Sequence, residues 1–211
     1  MVAPTVFEDV KIDKTNTPIN PNLVMFIDTA TRYSGYAFYE RGIIHPPTYQ
    51  LENYGVVKVT NDKDWEVRCL GMTAKISQII HSAKPGALVL EYPHFQGGSA
   101  KGRQASRSGS TLQLSYLCGR ITMAWELYIT KVYADMGQMP PLTRLIEYRE
   151  WNGQLKKKHT CQRCKDFFDI EAKPDTIDDN YADAIMMGRW YLDNKTDGTV
   201  LAAHNAERVD L

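Results

Sequence analysis

Acids recur in this sequence at places where packing gives them no use. Asp28 closes the apolar run Leu23-Val24-Met25-Phe26-Ile27, Glu91 closes Ala87-Leu88-Val89-Leu90, and Asp179 and Asp183 stand four apart in DDNYADAIMMGRWYL. A lone strand-end aspartate usually caps a turn. Recurrence changes that reading. Residues four apart share one face of a helix, so two strand ends and one helix can bring these carboxylates together if the strands are neighbours and the helix crosses them. Clustered carboxylates repel one another and call for a cation. Hard divalent ions such as Mg2+ take oxygen ligands, keep several waters and bind phosphates. Two such ions about 3.5 to 4 Å apart activate water and stabilise the leaving oxygen in phosphodiester cleavage.

The elements that must position these acids follow from local patterns. The first apolar run suits a strand buried on both faces. After the turn TATRYSG, Gly35 to Tyr39 resumes a β pattern, and Tyr54-Gly55-Val56-Val57-Lys58-Val59 makes a third strand. Short links between the three predict an antiparallel meander. Trp65, Cys69, Met72, Ile76 and Ile79 trace an amphipathic helix with Asn61 or Asp62 as its cap, and Lys84-Pro85-Gly86 stops it before the fourth strand. Leu114, Leu117, Ile121 and Tyr128 mark a second helix, from Ser110 or Thr111 to about Tyr133. Leu142 to Tyr148 reads as a fifth strand, Trp151 to Gln154 as a turn, His159 to Phe168 as a short helix, and Asp178 to Leu192 as the last helix. Residues 1–21, with Pro4, Pro18 and Pro21, read as an extended arm; residues 193–211 read as a polar tail. The folded unit between them is 22–192.

Composition narrows the class. With 211 residues, 43% of them apolar, the chain suits one core. No apolar run approaches the roughly 20 residues of a membrane span, and no signal peptide opens the sequence, so a cytoplasmic protein is expected. Charge balances at 25 basic and 25 acidic residues. Its distribution is uneven: Arg144 to Lys165 holds Arg144, Arg149, Lys156, Lys157, Lys158, Arg163 and Lys165 against Glu147 and Glu150. The glycine- and serine-rich stretch Gln96 to Ser110 adds Lys101, Arg103 and Arg107 without an acid. Such segments suit phosphate binding, or merely a solvated face. Tyr92, His94 and Phe95 either stack on unpaired bases or pack beneath that loop, and packing is the commoner fate. The four cysteines are expected to be reduced. Cys161-Gln162-Arg163-Cys164 supplies only half of a tetrahedral zinc site, and no second pair is suitably spaced.

Taken in order, FIDTATRYSGYAF, LVLEYPHF and DDNYADAIMMGRWYL resemble the RuvC-type Holliday junction resolvases of the RNase H-like nuclease superfamily, over roughly Leu23 to Leu192. The resemblance implies an α/β fold: an RNase H-like mixed five-stranded sheet with a three-strand antiparallel meander, flanked by helices. It implies that Asp28, Glu91 and Asp183 are catalytic metal ligands. The family's fourth acid usually lies at the position of Asn180 here, and Asp179 is preferred to Asp178 or Asp175 as its replacement. A basic segment before the last helices, matching Lys156 to Lys158, would bind DNA and aid catalysis; the sequence does not say which lysine does so. The glycine-rich loop with Lys101, Arg103 and Arg107 would reach DNA near the cut.

Also implied are two Mg2+ ions per site with Mn2+ as a substitute, four-way and other branched DNA as substrate, 5′-phosphate products, no small-molecule cofactor and no membrane. Family resolvases are homodimers, and Leu112, Tyr116 and Met123 on a second face of the 110–133 helix offer a surface for one. The departures fit a bacteriophage-type member. Two other readings stay open: a nuclease for flaps, forks or RNA-containing duplexes, and a non-catalytic junction-binding protein. An actin-like or sugar-kinase ATPase needs a phosphate loop and a second domain that this chain has no room for.

Overall fold

The computed structural model describes residues 5–6, 19–42, 48–59, 64–93, 109–135, 143–153 and 155–195. Strands β1 (Thr5–Val6), β2 (Asn20–Asp28), β3 (Tyr33–Arg41) and β4 (Tyr49–Lys58) precede helix α1 (Trp65–Ala83). Strand β5 (Pro85–Tyr92), helix α2 (Ser110–Asp135), strand β6 (Arg144–Glu147) and helices α3 (Tyr148–Trp151), α4 (Lys157–Phe168) and α5 (Asp178–Lys195) complete the order. The sheet runs β1-β4-β3-β2-β5-β6. Strands β2, β3 and β4 form the expected antiparallel meander, while β5 joins β2 in parallel and β6 joins β5 in parallel. The five expected strands thus form the mixed sheet. A two-residue sixth strand from the N-terminal segment is added at the β4 edge, parallel to Gly55 and Val56.

Strand parity divides the core in two. Val24, Phe26, Ala37, Tyr39, Ala87 and Val89 face α4 and α5, with Ala182, Ile185 and Met187 packed against them. Met25, Ile27, Tyr36, Phe38, Leu88 and Leu90 face α1 and α2, against Met72, Ile76, Leu117, Ile121 and Trp125. Side chains alternate with a period of two, and both β2 and β5 lie between neighbours. That explains why their sequences read as continuous apolar runs rather than alternating ones.

Several boundaries differ from the sequence expectation, each for a local reason. Asp64, rather than Asn61 or Asp62, caps α1, its carboxylate accepting from the Glu66 N–H at 2.8 Å. Asn61 and Asp62 lie outside the described residues. Strand β4 begins at Tyr49: the half from Gln50 to Asn53, where Leu51 is the only apolar residue, is held by pairing with β3. The fifth strand stops at Glu147 instead of continuing to Tyr148. Glu147 and Glu150 form a reciprocal capping box there, so the stretch that resembles strand followed by turn is a single helical turn. The short helix starts at Lys157 rather than His159, which places two of the three lysines in its first turn. Helix α5 continues to Lys195, past the Leu192 expected as its end.

Candidate active site

Parity and register together bring the strand-end acids to one place. Ile27 pairs with Leu90, so the next residue on each strand is a carboxylate, Asp28 and Glu91. Continuing the rows Val24-Phe26 and Ala87-Val89, both belong to the face that α5 covers. Helix α5 reaches them because Gly35, the partner of Asp28 on β3, has no side chain: a Cβ there would stand 1.8 Å from the Asn180 carbonyl oxygen. Farther along, the Tyr39 hydroxyl donates to the Ile185 carbonyl at 2.8 Å and ties helix to sheet. Asp179 and Asp183, 6% and 4% exposed, occupy the buried side of the helix.

Asn180 takes no part in that side. Its amide donates to the Ile177 carbonyl at 3.1 Å, and its own carbonyl lies over Gly35. Asp178 accepts a 3.4 Å bond from the Lys173 N–H, and Asp175 sits in a left-handed turn at φ 60°. Of the acids on this segment, Asp179 and Asp183 are therefore the two that meet at the site.

Lys157 closes the group. Its Nζ lies 3.0 Å from Asp179 Oδ1 and 3.3 Å from Asp183 Oδ2. Lys156 is the N-cap of α4 and Lys158 is exposed on its outer side; neither forms an ion pair with these acids. Glu91 is held separately, with the Trp151 indole N–H donating to its Oε2 at 2.8 Å. Beneath Glu91, the Thr29 hydroxyl donates to its carbonyl at 2.7 Å and meets Cys118 Sγ at 3.3 Å, so the strand end is fixed from the α2 side as well.

Electrostatics report the strain of the assembly. Burial, then the Glu91 and Asp183 charges, hold Asp28 well above the ordinary carboxyl range. Burial raises Glu91 to about 7 against the Trp151 hydrogen bond, which favours its ionised form. Burial also raises Asp183 to about 6, although Lys157 pulls it down. Burial alone would lower Lys157, but Asp183, Asp179 and Asp28 outweigh it and keep the ammonium charged.

These groups fit a hard divalent cation. All four acids are oxygen donors, the Glu91 and Asp183 charges each raise Asp28 by more than Lys157 lowers it, and Asp183 Oδ1 is buried without a hydrogen-bond partner. Among the described residues no finished coordination shell is drawn together, and an ammonium stands between the two α5 carboxylates.

A pH dependence follows. A carboxyl whose folded pKa is raised binds more protons folded than unfolded, so its stabilising effect is complete below the unfolded value of about 4 and is lost as pH rises through the folded one. For Glu91 and Asp183 that window ends near 7 and 6. In chelator, the melting temperature is expected to fall from pH 5 to pH 8, with Mg2+ raising it more at pH 8. The slope should flatten in Glu91→Gln/Asp183→Asn. An equal slope in that double variant would show that the cluster does not set it.

Lys101, Arg103, Arg107, His94 and Phe95 lie outside the described residues. Tyr92 is half-buried, its hydroxyl donating to Glu147 Oε1 at 2.8 Å. Cys161 and Cys164 are buried in the apolar core, which pushes their thiols up to about 11 and about 12 and keeps them protonated. That environment suits packing and not zinc. All four cysteines are free. No described helix is long and apolar enough to cross a membrane. Sequence reasoning missed Trp151, assigned there to a turn. Its role depends on β6 lying beside β5, which no local spacing encodes.

No protein-family model and no curated protein matches this sequence. Solved structures do. The chain superposes on Thermus thermophilus RuvC with a TM-score of 0.50 and 15% identity, over 82% of this chain and 97% of that one. It superposes on Ydc2, the yeast mitochondrial Holliday junction resolvase, with a TM-score of 0.55 and 12% identity, over 86% of this chain and 82% of that one. The fold is the RNase H-like α/β fold of these proteins.

Proposed function

We propose that this chain is a Holliday junction resolvase: a divalent-metal-dependent, structure-selective endonuclease that hydrolyses phosphodiester bonds in four-way and other branched DNA. The observation that carries the reading is the meeting of Asp28 and Glu91, from adjacent parallel strand ends, with Asp179, Asp183 and Lys157 beneath one helix. Sharing a fold with a yeast resolvase supports it. Fold alone does not fix a substrate, so the junction preference is the part most in need of test.

Asp28, Glu91, Asp179 and Asp183 would hold Mg2+, with Mn2+ as a substitute and two ions per site. When bound, the ions would supply an acidified water and positive charge against the scissile phosphate. The chain's own residues do the rest. Burial and mutual repulsion keep the carboxylates poised to bind a cation. Lys157 is the lysine of the triplet placed to offset negative charge developing on a phosphate at this site. The outward side of α4, with Lys156, Lys158 and Arg163 exposed, offers the DNA backbone positive charge beside the site. Lys101, Arg103 and Arg107 would extend that surface.

Cleaving two opposed strands of a junction requires two sites. Leu112, Tyr116, Met123 and Leu127 on α2 are 68%, 41%, 57% and 69% exposed and follow one helical stripe. A homodimer pairing these stripes about a two-fold axis would cover them. Leu127→Glu is expected to shift the solution mass, measured by light scattering, from dimer to monomer; a monomeric wild-type protein would refute the arrangement.

The deciding experiment is cleavage of a four-way junction labelled on each strand, with Mg2+, against forks, flaps, RNA-containing duplex and linear DNA. Paired, symmetric nicks confined to the junction support a resolvase. Equal cutting of every substrate makes the protein a general nuclease, and tight junction binding without cleavage makes it a binding protein.

A further inference from the structure

Trp151 is the residue at this site that the nuclease reading leaves unexplained. Its indole N–H donates to Glu91 Oε2 at 2.8 Å, across a sequence separation of 60 residues. The ring is 7% exposed and belongs to the core beneath α5. An indole N–H only donates, carries no charge and does not titrate. Among the described residues no donor reaches the other oxygen, Oε1.

The surrounding structure holds this donor rigidly. Glu91 and Tyr92 on β5 pair with Ile146 and Glu147 on β6. The Tyr92 hydroxyl donates to Glu147 Oε1 at 2.8 Å, and the Glu147 N–H donates to Glu150 Oε1 at 3.0 Å to complete the capping box that starts α3. Tyr148 packs edge-on against the indole, with ring centres 5.3 Å apart, and its hydroxyl is bonded by the Asn152 amide. The single turn of helix α3 therefore fixes the indole with respect to the strand that carries Glu91.

We infer that Trp151 is a positioning residue that confines Glu91 to metal binding through one oxygen and thereby tilts the site toward Mg2+ and against Ca2+. The inference rests on the reading of Glu91 as a metal ligand. Mg2+ demands near-octahedral geometry and accepts single carboxylate oxygens, whereas Ca2+ takes six to eight oxygens at longer range and readily uses both oxygens of one carboxylate. With Oε2 already accepting the indole N–H, binding through both oxygens would have to share Oε2 between ring and ion, which favours binding through Oε1 alone. Donors behind metal-binding carboxylates typically change metal affinity by about 10- to 100-fold when removed.

The test is calorimetric titration of Mg2+ and of Ca2+ into the full chain without DNA, comparing wild type, Trp151→Phe and Glu91→Gln. In Trp151→Phe the Mg2+/Ca2+ affinity ratio is expected to fall about tenfold, because Mg2+ loses an oriented ligand while Ca2+ gains an oxygen. A general loosening of the fold would weaken both ions alike, so an unchanged ratio overturns the inference. Wild-type protein that binds neither ion, or binding undiminished in Glu91→Gln, instead sinks the metal reading on which it rests.

A measurement on the wild-type ring covers the case of a Phe variant that does not fold. The indole N–H resonance displaced by Glu91→Gln is expected to shift when Mg2+ is added to wild type. If that resonance ignores Mg2+, Trp151 does not act through a metal-binding Glu91.

Discussion

Asp28→Asn is expected to abolish junction cleavage, by about 10³-fold or more, while junction binding persists. The carboxylate sits where Ile27 and Leu90 bring β2 and β5 into register, and it faces Glu91, Asp183 and Asp179 at once. An amide of the same shape keeps an oxygen there but removes the charge that a divalent ion needs. Loss of one group that acts on developing charge commonly costs 10² to 10³ in rate, and here the loss would also disorganise the ions shared with its neighbours.

The same substitution should leave the metal-free protein more stable, not less. Asp28 is half-buried, desolvated by its surroundings and repelled by other acids, so its ionised form opposes folding at neutral pH. Asn removes that opposition. A melting temperature above that of wild type in chelator, together with lost cleavage, would separate a missing catalytic charge from a misfolded site. Asp28→Asn that still nicks junctions at the wild-type rate would remove this carboxylate from the chemistry.

What could be read from the sequence was whatever depends on neighbours in the chain. The two buried strands announce themselves as apolar runs, each ended by an acid. The i,i+4 spacing of Asp179 and Asp183 puts them on one side of α5, where both are buried. Position by position, Asn180 against Asp179 could not be decided from pattern. The decision comes from the seating of α5: Asn180 lies over Gly35 and its amide turns back to Ile177, which leaves Asp179 facing Lys157. The choice among three consecutive lysines likewise depends on where α4 begins. Only the helical start at Lys157 turns that residue, and neither neighbour, onto the acids. Trp151 was invisible for the strongest reason. Its partner is a strand away in space and 60 residues away in sequence, and the chain around it carries a turn-like composition that a capping box converts into helix.

Gly35→Ala is expected to damage both the fold and the site, although glycine bears no chemistry. Its added Cβ would lie 1.8 Å from the Asn180 carbonyl oxygen, 2.2 Å from that carbonyl carbon and 2.8 Å from the Tyr181 nitrogen. All three are backbone atoms of α5, so no side chain can rotate out of the way. The helix must lift from β3, and it carries Asp179 and Asp183 with it. Overpacking of this kind costs roughly 3 kcal/mol or more, which corresponds to a drop of about 10 °C in melting temperature for a domain of this size. A displacement of about 1 Å at the α5 carboxylates can cost about 10² in rate. Gly119→Ala supplies the contrast. Gly119 lies within α2, an added methyl there would meet nothing within 4 Å, and alanine should stabilise the helix by about 0.5 to 1 kcal/mol. Gly35→Ala with wild-type melting and cleavage, measured beside Gly119→Ala, would show that the close approach of α5 to β3 does not position the acids. The expected pair of opposite shifts, with cleavage lost only in Gly35→Ala, would tie catalysis to that single contact between helix and strand.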